Sequence, residues 1–300
     1  MANFYFSTAQ QLPLYTQYFL NDYVLNPAVS GIRPAFEMKS NYRYQWAGIT
    51  DAPKTYILSI HGPWKDKNMG VGGYIFSDVT GPTGRLGLNL SYAYHIKITD
   101  SMKLSFGLAG GLMQYNLDGS KIVLVDDLDP ALDNSIETKL LPDASFGIYV
   151  YSPRFYGGIT AQQLLQNKIE FTGDNSTVIT RLKTHFYAMA GYKLPLGTDF
   201  EIEPNLLVKS VSPVPVQVDA CLKFAWQQKI WIGGLLRTSD NAISFLAGYS
   251  HNRRIFFAYA YETTTSNIRN YSSGTHEIMI GINFPVAVTQ KPEESPSFDY

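Results

Sequence analysis

Five histidines, one cysteine and a short aspartate-rich run are the residues of this 300-residue sequence with the plainest chemical potential. His61, His95, His185, His251 and His276 stand far apart. No HxxxH or HExxH spacing puts two imidazoles on one helical face, as a helical metal site requires. His95 and His185 fall among the polar positions of alternating segments, and the other three lie at segment ends, so satisfied structural imidazoles are expected at all five. The run "LVDDLDPALD" brings Asp126, Asp127, Asp129 and Asp133 together. It lacks the D-x-D-x-D-G order and the bidentate glutamate of a calcium loop, and reads as a solvated loop. Cys221 stands alone, so it forms neither an intramolecular disulfide nor a cysteine metal cluster. No catalytic residue, metal or cofactor is expected.

The elements that would position any chemistry here are β-strands. In "AFEMKSNYRYQW" one parity holds Phe36, Met38, Ser40, Tyr42, Tyr44 and Trp46, and the other Glu37, Lys39, Asn41, Arg43 and Gln45. "RLGLNLSYAYHIKI", "DFEIEPNLLVK", "VQVDACLKFAW" and "HEIMIGINF" alternate in the same way, and period two is the signature of strands. About fourteen such runs lie between residues 35 and 284. Tight turns ("TDS", "SPR", "PLGT", "QQ", "HNR") follow the even-numbered runs, whereas the connections at 116–142, 163–182 and 263–273 follow odd ones. Short turns at one end and long loops at the other are the pattern of an outer-membrane barrel. An even strand count puts both ends of the barrel chain on the short-turn, periplasmic side. Tyr and Trp at both ends of the apolar parity fit two interfacial belts. No stretch reaches the roughly 18 apolar residues of a membrane helix, but closed barrels cross without one. Charged residues make up only 16 % and net charge is −1, against a nucleic-acid partner. A barrel hydrolase would need Ser, His and an orienting group on the lipid parity, which carries few hydroxyls beyond tyrosine and no mid-strand histidine.

The inward parity mixes signs: Glu37, Lys39, Arg43, Lys97, Lys103, Glu201, Glu203, Lys209, Asp219, Lys223 and Arg254. Such a mixture predicts ion pairs across the lumen, or with an inserted segment, over a single-sign filter. Fourteen strands enclose more than their own side chains fill, so an occupant or water is expected. The stretch "QYFLNDYVLNPAVSG", ahead of the first strand, is the candidate occupant. Its Tyr18, Phe19, Tyr23, Leu25, Asn26 and Pro27 would plug the periplasmic mouth and contact partners; a structural cap over the first and last strands is the alternative. The expected organisation is 1–9 as the remnant of an export signal or a disordered terminus, 10–34 as plug or cap, 35–284 as an all-β transmembrane antiparallel barrel, and 285–300 as a periplasmic tail.

Several of these stretches carry a resemblance. "QYFLNDYVLNPAVSG", "RYQWAGI" with "APKT", "SYAYHI", "LPDASFGIYVYSPRFYGGITAQQLL" and "HEIMIGINF", in this order, resemble the PorP/SprF family of the type IX secretion system of Bacteroidota. The resemblance implies a non-enzymatic outer-membrane part in secretion, gliding or surface attachment. The implied partners are secreted adhesins with a type B C-terminal sorting domain, periplasmic type IX ring or peptidoglycan-binding proteins, and outer-membrane lipid. A diffusion porin or solute channel is the alternative function.

Overall fold

The computed structural model describes residues 15–64, 68–121, 136–172, 177–239 and 241–285. Strands β1 (Ala35–Tyr44), β2 (Lys54–Pro63), β3 (Met69–Thr80), β4 (Thr83–Lys97), β5 (Lys103–Asp118), β6 (Ile136–Tyr151) and β7 (Phe155–Gln162) pair antiparallel, each with the next. A separate hairpin of β8 (Lys168–Thr172) and β9 (Thr177–Arg181) follows. The wall resumes with β10 (His185–Tyr192), its short continuation β11 (Leu194–Leu196) and β12 (Phe200–Val211). It ends with β13 (Val214–Trp226), β14 (Ile230–Arg237), β15 (Ala242–His251), β16 (Ile255–Thr264) and β17 (Thr275–Pro285). β7 pairs with β10, β10 with β12, and β17 with β1 from Ala35↔Pro285 to Tyr44↔His276. The result is a closed antiparallel barrel of fourteen staves, in which the strands satisfy one another's backbone round the ring.

Alternation decides which side chains face out. Leu90, Leu108 and Phe245 are 63 %, 62 % and 63 % exposed, and large apolar residues cover the outer wall all round. At about 25 cal/mol per Å² such a belt is tolerable only against hydrocarbon. The opposite parity of the same strands is buried and polar: Glu37, Lys39, Asn41 and Arg43 in β1, Glu203 and Asn205 in β12, Gln217 and Asp219 in β13.

Two details depart from the sequence reading. β6 begins at Ile136, so the connection expected at 116–142 shrinks to 119–135. Pro142 does not break β6, because Asn167 Nδ2 bonds the Pro142 carbonyl at 2.5 Å and Leu164 N bonds the Ala144 carbonyl at 3.0 Å. That edge of β6 faces the 163–184 loop and not β5, and β7 joins only from Phe146, so the missing N–H costs no ladder bond. The expected 163–182 loop contains the β8–β9 hairpin, whose Ile169, with Leu182 beyond it, is buried in the inner core. The run "LVDDLDPALD" lies outside the described residues.

Candidate functional site

The sequence ahead of β1 folds inside the barrel. Residues Tyr18–Leu20, Asp22–Val24 and Pro27–Val29 each make one 3-10 turn. Asn26 caps the third, its Oδ1 accepting from Ala28 N at 2.9 Å, with Pro27 at the first helical position where no donor is needed. Gly31 then turns the chain into β1 at φ 76°, which an L side chain rarely adopts.

All six plug candidates, Tyr18, Phe19, Tyr23, Leu25, Asn26 and Pro27, are buried against the inner wall. Their polar groups bond strands on opposite sides. Tyr18 Oη donates to the Asp219 carbonyl of β13 (3.3 Å), and Asn21 Nδ2 to Ser59 Oγ of β2 (3.0 Å). Tyr23 Oη meets Ser91 Oγ of β4 (2.9 Å). Asn26 Nδ2 donates to the carbonyls of Ile148 in β6 and Ile159 in β7 (3.1 and 3.3 Å). Gln162 Nε2 in turn donates to the carbonyls of Val24 and Leu25, both at 3.0 Å. Burial pushes the Tyr18 and Tyr23 phenols well above the ordinary tyrosine range, so both act as neutral hydroxyls. The wall opens for the segment where it carries no side chain. A Cβ on Gly107 would enter the Ala28 backbone, and one on Gly147 the Asn26 amide.

Three ionic clusters surround the segment. Arg43 bonds Glu262 at 2.7 Å, Glu277 at 3.1 Å and Thr16 Oγ1 at 2.6 Å. Arg237 joins Glu262 (2.7 Å) to Asp219 (3.2 Å), and Lys209 meets Asp219 at 3.0 Å. Three cations thus balance three carboxylates. Glu277 also accepts from Thr16 N (2.8 Å), Gln17 N (3.0 Å) and Asn41 Nδ2 (3.1 Å). A second cluster centres on Glu37, with Arg33 at 2.5 Å, Lys39 at 2.8 Å and His61 at 3.4 Å. In the third, Lys223 pairs with Glu203, and Tyr156 Oη donates to Glu203 at 2.9 Å. The first cluster sits at the strand ends remote from the short turns, so the segment reaches past the periplasmic mouth into the outer half of the lumen.

Of the candidate lumen charges, Glu37, Lys39, Arg43 and Glu203 are buried inside, with Lys223 half-buried beside Glu203. Glu201 is half-buried near the short-turn end of β12. Arg254 is not a lumen charge: it stands exposed in the 252–254 turn, because β15 ends at His251 and alternation stops before it. Lys97 has the right parity but is 61 % exposed at the end of β4, paired with Asp100 at 2.7 Å. Arg237, Glu262 and His61 belong to the ionic clusters although the alternating pattern does not single them out. Each ends or nearly ends its strand, and extending the alternation of Phe257, Tyr259 and Tyr261 by one residue would have turned Glu262 inward.

A family model, type IX secretion system membrane protein PorP/SprF, matches residues 7–282. No curated protein matches the chain. Among solved structures, the chain is similar to the Ralstonia pickettii toluene transporter TbuX, at 10 % identity and TM-score 0.54, covering 87 % of this chain and 92 % of that one. It is also similar to CymD, described as a monoaromatic hydrocarbon channel, at 12 % identity and TM-score 0.51, covering 87 % and 91 %. At such identity the likeness concerns the barrel fold alone.

Proposed function

Because the chain belongs to the type IX secretion system membrane protein PorP/SprF family, we propose that it is an interaction barrel whose own N-terminal segment closes its lumen. The family is non-catalytic, and the chain is an outer-membrane barrel in which β1 starts and β17 ends on the periplasmic side. On this reading it anchors or receives secreted adhesins carrying a type B sorting domain, or docks periplasmic ring or peptidoglycan-binding proteins of the same machinery.

The observation that carries the reading is the segment packed across the lumen. The segment from Tyr15 to Arg33 bonds to strands on opposite walls, and the charges of the three ionic clusters are spent on one another and on it. A diffusion porin needs a continuous polar path, and a segment packed across the lumen argues against one. Planar-bilayer recording of the full chain is expected to show no steady ion current. Pull-down in mild detergent should recover an adhesin sorting domain or a periplasmic type IX protein. A steady ohmic current with no such partner would overturn the reading in favour of a solute channel.

A further inference from the structure

On the periplasmic side the segment leaves part of the lumen open. A cavity of about 310 Å³ remains, bounded by Phe19, Arg33, Lys103, Tyr151, Tyr156 and Lys193. Three carboxylates also reach it, and each is already engaged: Asp22 accepts from Tyr149 Oη (2.9 Å), Asp100 pairs with Lys97 (2.7 Å) and Glu203 with Lys223. Lys103 and Lys193 have no ion-pair partner among the described residues. The cavity therefore presents two ammonium groups that form no salt bridge, Lys193 with the Glu203 carboxylate in its neighbourhood, between tyrosine rings, a setting for an anionic, aromatic-bearing peptide.

One such peptide starts beside it. Pro285 at the end of β17 lies opposite Ala35 of β1, two residues from Arg33 on the cavity rim. Beyond the described residues run 286–300, "VAVTQKPEESPSFDY", with Glu293, Glu294 and Asp299 against the single Lys291, and with Phe298 and Tyr300. Fifteen residues span up to about 50 Å when extended, ample to reach the far wall of the mouth. The family match ends at residue 282, so this segment lies beyond the family pattern. We propose that segment 286–300 folds back into the periplasmic cavity, its carboxylates meeting Lys103 and Lys193 and its rings lying against Tyr151 and Tyr156. The docked tail is then an intramolecular competitor for any periplasmic peptide that uses the same mouth. It does not depend on whether the barrel handles adhesins or solutes.

The test uses the full chain in detergent micelles, with Phe298 replaced by a photoreactive benzophenone amino acid and adducts mapped by mass spectrometry. Intramolecular adducts to 100–103, 149–156 and 193 are expected, independent of protein concentration. Lys103→Gln/Lys193→Gln, with unaltered heat-modifiable gel mobility, should lose most of them. Raising salt to 1 M should reduce them in the unsubstituted barrel too, which keeps the test open if the double variant misfolds. Adducts confined to other surfaces, to a second copy or to a co-purifying periplasmic protein would overturn the proposal, as would a yield indifferent to both the lysines and salt.

Discussion

At the scale of single residues, the molecule depends on charges it has hidden. Arg43 satisfies Glu262 and Glu277 at once while its own side chain is 2 % exposed. Removing one member of a buried ionic group leaves the others uncompensated, at a typical cost of about 3–5 kcal/mol. Arg43→Met should therefore lower the unfolding free energy of the barrel, read from its urea midpoint in vesicles, by that order, whereas Lys97→Met, at an exposed strand end, should barely move the midpoint. Ile280 faces lipid on β17. Ile280→Arg should cost about 2–4 kcal/mol if it lies at the bilayer midplane, and the same titration measures it. An unshifted midpoint for both Arg43→Met and Ile280→Arg would contradict the inside–outside assignment. That assignment was legible, since period two separates the two faces within each strand. The ionic partners were not, because Arg43 and Glu277 are 234 residues apart and no local pattern says which inward cation meets which carboxylate.

At the scale of elements, the N-terminal segment is separable from the wall it fills. Deleting residues 15–31 should leave a barrel that folds, since β1 to β17 pair among themselves. It should also raise single-channel conductance, because fourteen strands enclose more than their side chains fill. Gly107→Val makes the same point without a deletion: its Cβ would enter the Ala28 backbone, so the segment must shift and current should appear. If both variants conduct no better than the unsubstituted chain, the segment seals nothing. The segment was legible as an apolar stretch ahead of the first strand, with Tyr18, Phe19, Tyr23 and Leu25 among its residues. The β8–β9 hairpin was not, because five-residue strands between turn-rich flanks give period two too little length to register. The early start of β6 was missed because Pro142 reads as a strand breaker unless one knows that its side of the strand has no barrel neighbour there.

At the scale of the whole molecule, the short turns at 152–154, 197–199, 227–229 and 252–254 mark one end, and the connections at 119–135 and 163–184 the other. Protease added to intact cells should cut at 119–135 or 163–184 and spare 152–154 and 252–254; cleavage confined to the short turns would invert the topology. The barrel also imposes an order of events on its own making. Thr16 and Gln17 hang from Glu277, whose carboxylate comes 260 residues later in the chain. It stands beside Arg43 only once β17 has paired with β1. Contacts of such separation form slowly, so the stretch synthesised before every strand of the barrel is the one whose berth is completed last. Ring closure is thus the gate to its settling, and pulse-labelled amide exchange during assembly should find β17 protected before residues 16–30. Simultaneous or reversed protection would mean that the segment templates the barrel around itself.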